Sequence, residues 1–129
     1  MASDADTTLA DIKNTVHEFV DQRDWSMYHS PKNLSMSLMI EAAELMEHFQ
    51  WISGSESRTI DDERKLKVGE EISDVLCYLV GIANELEINL PSEFSRKLEI
   101  NRTKYPVEEF RGRYGRDDPK PVKTDPTAH

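Results

Sequence analysis

The chain has 129 residues, a length that suits one domain, and its 37% hydrophobic content supports a modest core. With 25 Asp and Glu against 16 Lys and Arg its formal charge is -9, which excludes a sequence-independent grip on nucleic-acid phosphates, since that needs clustered cations. One cysteine, Cys77, rules out an internal disulfide, and no N-terminal apolar stretch resembles a signal peptide or a membrane span, so a soluble, cytoplasmic protein is expected.

Leu9, Ile12, Val16, Phe19 and Val20 recur at helical spacing after Thr8, a candidate N-cap with Asp11 three residues on. This predicts a first helix over 8–23. The stretch SMYHSPKN suits a short connection, with Ser30 or Asn33 capping a second helix over 34–52. SGSESRTIDD lacks apolar periodicity and reads as a loop, after which Asp61, Asp62 and Glu63 suit the first turn of a third helix over 62–87. Asn89-Leu90-Pro91 breaks the pattern, Pro91 fits the first turn of a fourth helix carrying Phe94, Leu98 and Tyr105, and Pro106 ends it. Gly115, Pro119, Pro121 and Pro126 then stand among almost no apolar residues, so one domain over 1–112 and a flexible tail over 113–129 are expected. No segment has strand periodicity, and the fold class expected is all-α, a four-helix bundle. Met27, Met36, Met39 and Met46 read as filler between its helices.

Two acidic patterns interrupt the apolar runs. In a chain this acidic, Glu-x-x-Glu is commonly a solvated face. On a wheel at ~100° per residue, however, Leu34, Leu38, Ala42, Leu45, Met46, Phe49 and Ile52 form one arc of the second helix, with Glu41 at its edge. Glu44 lies one step further round and Glu47 nearly opposite. The third helix repeats this: Val68, Ile72, Val75, Leu76, Leu79, Ala83 and Leu86 form the arc, with Glu71 at its border and Asp74 and Tyr78 beside it. Two adjacent antiparallel helices of this kind would bring Glu41, Glu44, Glu71 and Asp74 together.

Like charges about 4 Å apart cost ~4 kcal/mol at an effective dielectric of 20, so such a cluster needs raised pKa values or bound cations. All-oxygen ligands favour hard ions, and open positions for water and phosphate suit Mg²⁺ or Mn²⁺ better than a caged Ca²⁺. A di-iron carboxylate bundle would need Glu-x-x-His, and none of His17, His29 or His48 has a Glu three positions before it. Zinc lacks its ligand spacing here.

The order EAAE, 26 residues, EISD, with RDWSMYHSPKNL, EHFQW, SDVLCYLV and INRTKYP around it, resembles the MazG-like all-α nucleoside triphosphate pyrophosphohydrolases, and within them the dCTP pyrophosphatase subgroup. The likeness covers residues 9–106. It implies hydrolysis between the α- and β-phosphates to give a monophosphate and pyrophosphate, with Mg²⁺, or Mn²⁺ in its place, on Glu41, Glu44, Glu71 and Asp74. One of Glu41 and Glu44 would also orient or deprotonate the attacking water. The resemblance further implies that His17, Trp25 and Trp51 line a base pocket, with a weak preference for pyrimidines, and that Lys97 and Asn101 meet phosphate. Lys97, Asn101 and Lys104 share a face of the fourth helix. Tyr78 is a candidate for a metal ligand's hydrogen bond, a sugar hydroxyl or plain packing. Family members are dimers or tetramers, so a homodimer or homotetramer is expected, with the first helix as the donor of residues to a neighbouring pocket. The competing reading is a non-enzymatic helical adaptor whose acidic stripes dock a basic partner without metal.

Overall fold

The computed structural model describes residues 2–115, 117 and 119, and the tail expected over 113–129 lies mostly outside them. Its helices are α1 Leu9–Asp21, α2 Pro31–Glu47, the short α3 Gly54–Ser57, α4 Asp62–Glu85, α5 Leu90–Lys104 and the short α6 Val107–Phe110. The described residues contain no strand, and the four long helices expected of an all-α chain are present. None is long and apolar enough to cross a membrane.

The starts of the helices follow local chemistry. Thr8 and Asp11 form a reciprocal capping box on α1. Ser30 accepts from the Asn33 N–H and Pro31 takes the first position of α2, three residues earlier than expected. Asp61 accepts from the Arg64 N–H at 2.7 Å to open α4. At the other end α2 stops at Glu47, five residues short of expectation. There the backbone tightens into bonds spanning three residues, from His48 N–H to the Leu45 carbonyl and from Phe49 N–H to the Met46 carbonyl.

The chain divides into two compact units, Met1–Leu90 and Pro91–His129. In the first, α4 packs against both α2 and α1. Asn84 donates to the Lys13 carbonyl and Lys13 Nζ to the Ile88 carbonyl, clasping α1 to the end of α4. The buried apolar side chains are Leu34, Val68, Val80 and Ala83. This corrects the wheel of α4: Val80, absent from the expected arc, is fully buried, whereas Ile72, Leu76, Leu79 and Leu86 are exposed. Met27, Met36, Met39 and Met46 are exposed as well, so they do not fill space within this chain. In the second unit, Tyr105 meets Phe110 edge-on at 5.1 Å, and Glu93–Arg96 and Glu99–Arg102 pair along exposed α5.

Candidate active site

The register set by the Ser30 cap brings Leu34, Leu38, Glu41 and Leu45 to the less exposed side of α2, so Glu41 is half-buried in the packed face instead of standing at its edge. On α4 the corresponding side holds Val68, Glu71, Val75 and Tyr78. One carboxylate oxygen each from Glu41, Glu44 and Glu71 lies within 4.8 Å of the other two. Glu47 is exposed at the end of α2.

Glu41 Oε2 is buried and has no hydrogen-bond partner, an arrangement that costs free energy unless something else satisfies the oxygen. Burial pushes the Glu41 carboxyl up to about 7, helped by a hydrogen-bonding contact with Glu44 and by the charges of Glu44, Asp74 and Glu71. An orphaned oxygen among hard oxygen donors fits a small divalent cation, which would satisfy Oε2 and relieve the repulsion together. Asp74, one turn after Glu71, is outside the cluster of three; it is exposed and lines an adjoining cavity.

That cavity, of about 310 Å³, is bounded by α1, α2 and α4 and is lined mainly by apolar groups, among them Phe19, Trp25, Leu34 and Tyr78. Its volume is at the lower end for small-molecule sites. Trp25 reaches it through the way α1 ends. Asp24 adopts a left-handed conformation (φ 52°), and the Trp25 N–H returns to the Val20 carbonyl at 3.1 Å. Phe19 then meets Trp25 edge-on at 5.8 Å, His29 lies 6.3 Å away, and the Arg23 guanidinium covers Phe19 at 3.6 Å. Phe19, His29 and Gly81 are lining residues that the sequence reasoning missed. Trp25 and His29 are joined by a 3-10 turn, Ser26–Tyr28, whose spacing no α-helical wheel displays. Cys77 also lines the cavity; burial, and then the charge of Asp74, push its thiol up, so it is a poor nucleophile.

The other expected site residues are distributed differently. Tyr78 is half-buried in the cavity wall. His17 is exposed and borders a small separate recess with Val16, Val20, His29 and Glu85, not the apolar cavity. Trp51 stands in the turn after α2, 88% exposed, because the helix ends before it; its expected place on the Glu44 side of that helix does not exist. Trp25 lines a cavity formed within its own chain. Lys97, exposed, and Asn101, half-buried, lie on α5 in the second unit.

Residues 36–114 match the MazG-like family. The chain is 40% identical over 107 residues to dCTP pyrophosphatase 1 of Rattus norvegicus, an alignment that takes in 81% of this chain and 63% of that protein. With dCTP pyrophosphatase 1 of Homo sapiens it shares 39% over 102 residues, 78% of this chain and 60% of that one. The chain thus spans less than two thirds of these relatives. A crystal structure of a pyrophosphatase from Archaeoglobus fulgidus superimposes with a TM-score of 0.73 at 41% identity, covering 82% of this chain and 99% of the other.

Proposed function

Because the chain belongs to the MazG-like family, we propose that it hydrolyses nucleoside triphosphates to the monophosphate and pyrophosphate, with dCTP or a modified pyrimidine deoxynucleoside triphosphate preferred. The names of its relatives support the substrate class. The observation that carries the chemistry is the buried, unpartnered oxygen of Glu41 within a three-carboxylate cluster, beside an apolar cavity walled by Trp25 and Tyr78.

Glu41, Glu44 and Glu71 would hold Mg²⁺, or Mn²⁺ in its place, with Asp74 one turn away as the fourth acidic residue. When bound, such an ion neutralises phosphoryl oxygens and lowers the pKa of water. Trp25 offers the base a flat apolar face, and Tyr78 a hydroxyl in the same wall. One of Glu41 and Glu44 orients the attacking water and takes its proton as the water oxygen bonds to the α-phosphorus and the bond to the bridging oxygen breaks, releasing pyrophosphate. His17, Trp51, Lys97 and Asn101 enter the reading as substrate contacts on the family resemblance alone.

The same reading includes a homodimer or homotetramer, a domain over residues 1–112 and a cytoplasmic location. A docking stripe for a basic partner would favour exposed positions such as Glu47 over the half-buried Glu41. The test is turnover of a nucleoside triphosphate panel with and without Mg²⁺, with the products identified. Release of the monophosphate and pyrophosphate is expected; orthophosphate release, or no turnover with the metal present, overturns the reading.

A further inference from the structure

A second cavity, of about 300 Å³, opens where the end of α2 meets the start of α4, lined by His48, Asp61, Glu63, Arg64 and Lys67. His48 ties it to the carboxylate cluster, since its Nε2 lies 3.8 Å from Glu71 Oε1 and both side chains are about one-fifth exposed. Three regions therefore follow one another along α4. The apolar cavity takes Asp74, Cys77, Tyr78 and Gly81, the carboxylate cluster takes Glu71, and the polar cavity takes Arg64 and Lys67. At 1.5 Å per residue, Lys67 and Arg64 lie about 6 and 10 Å before Glu71 along the axis, on the side away from the apolar cavity.

Both acids in this cavity are already engaged. Asp61 accepts the Arg64 N–H as the cap of α4, and Glu63 pairs with Lys67 at 3.2 Å. The Glu63–Lys67 pair is exposed and spans one helical turn, a weak type that a polyanion readily displaces. Arg64 is half-buried and makes no ion pair among the described residues. A guanidinium with a free fork on a partly covered arginine suits a phosphate group.

We infer that Arg64 and Lys67 bind the β- and γ-phosphates, so that the substrate lies along α4 with its base toward Tyr78 and its leaving pyrophosphate toward Arg64. This rests on the function proposed above, and it adds a direction to the substrate and a source of selectivity for triphosphates over diphosphates. The α-phosphate then falls at Glu71, between the two cavities.

The test compares the unaltered protein with an Arg64→Ala/Lys67→Ala variant and with an Arg58→Ala/Lys65→Ala variant that removes equal charge from outside the cavity. Calorimetry with Mg²⁺ and inorganic pyrophosphate reads the subsite without turnover, and helical content checks the fold. Loss of Arg64 and Lys67 is expected to weaken pyrophosphate binding about 10-fold or more. It should also raise KM for the triphosphate by a larger factor than KM for the matching diphosphate, which has the β-phosphate contact alone to lose, and the control pair should alter neither. Equal pyrophosphate binding by all three folded proteins overturns the inference even if the enzyme is active. Absence of turnover with the binding difference intact overturns the reaction and leaves the subsite standing.

Discussion

Gly81 of α4 packs against Leu34 of α2 so closely that a Cβ built on it would stand 3.4 Å from Leu34 Cδ1 and 3.7 Å from Cδ2. Those are ordinary van der Waals contacts, and Gly81 is buried inside a helix. Gly81→Ala should therefore stabilise the protein by about 0.5–1 kcal/mol, read as a higher denaturant midpoint, because glycine is a poor helix residue. Gly81 also lines the apolar cavity, so Gly81→Val should cost about 1–3 kcal/mol through overpacking. It should also raise KM for the nucleotide. Unchanged KM in a folded Gly81→Val protein would remove the cavity from substrate binding.

The Glu41 carboxyl gives the metal-free protein a defined pH response. Folded, it keeps its proton up to about pH 7, whereas an unperturbed glutamate loses it near 4.5. Between these values the folded state binds more protons than the unfolded one, so metal-free stability falls as pH rises from about 4.5 to about 7, then levels off. A divalent cation needs the deprotonated carboxylate, so stabilisation by Mg²⁺ should grow over the same window. Thermal unfolding with and without Mg²⁺ at pH 5, 6, 7 and 8 checks both signs. Glu41→Gln should abolish the metal response and lower kcat on the order of 100-fold or more, while Glu47→Gln should behave like the unaltered protein. A Mg²⁺ response of equal size at pH 5 and pH 8 would contradict the assignment.

These residues show what a single sequence discloses. Helix starts are legible because caps are local: Thr8 with Asp11, Ser30 with Pro31 and Asp61 each satisfy the N–H groups of their own first turn. The end of α2 is not, because no glycine or proline stands between Glu47 and Ser53 and the turn forms by tightening of backbone bonds. Trp51 leaves the wheel at that point. Glu41, Glu44 and Glu71 are legible from their spacing, yet the depth of Glu41 is not. A wheel drawn on α4 merges two apolar stripes, one against α2 and another on the exposed side. Only tertiary packing separates them. Trp25 depends on a left-handed Asp24, which a sequence pattern does not announce.

The end of α4 offers an independent test of backbone strain. Glu87 sits at φ 53°, with the Ile88 N–H bonded to the Ala83 carbonyl at 2.9 Å, a closure that favours glycine at this position. Glu87→Gly relieves the contact between Cβ and carbonyl at the expense of unfolded-state entropy, with a net gain of about 0.5–1 kcal/mol. Glu70→Gly, in the middle of α4, should lose a similar amount. Denaturant titrations with unchanged slopes would measure both. If the two substitutions shift the midpoint in the same direction, the strain argument at Glu87 is wrong.

The apolar stripe left on α4 calls for a partner of the same kind. Ile72, Leu76, Leu79 and Leu86 recur at helical spacing and are exposed, and Met36, Met39, Ile40 and Met46 are exposed on α2, while among the described residues the buried apolar side chains are Leu34, Val68, Val80 and Ala83. A second copy laid against α4 would bury that stripe and enlarge so small a core. The protein should accordingly sediment at a multiple of 14.9 kDa, with a melting temperature that rises with its concentration. Placing Glu at both Leu76 and Leu79 should reduce the mass to that of one chain, lower the melting temperature and remove its concentration dependence, because two carboxylates buried without partners would oppose association. Sedimentation of the unaltered protein at 14.9 kDa over the micromolar range would show that these stripes remain in water.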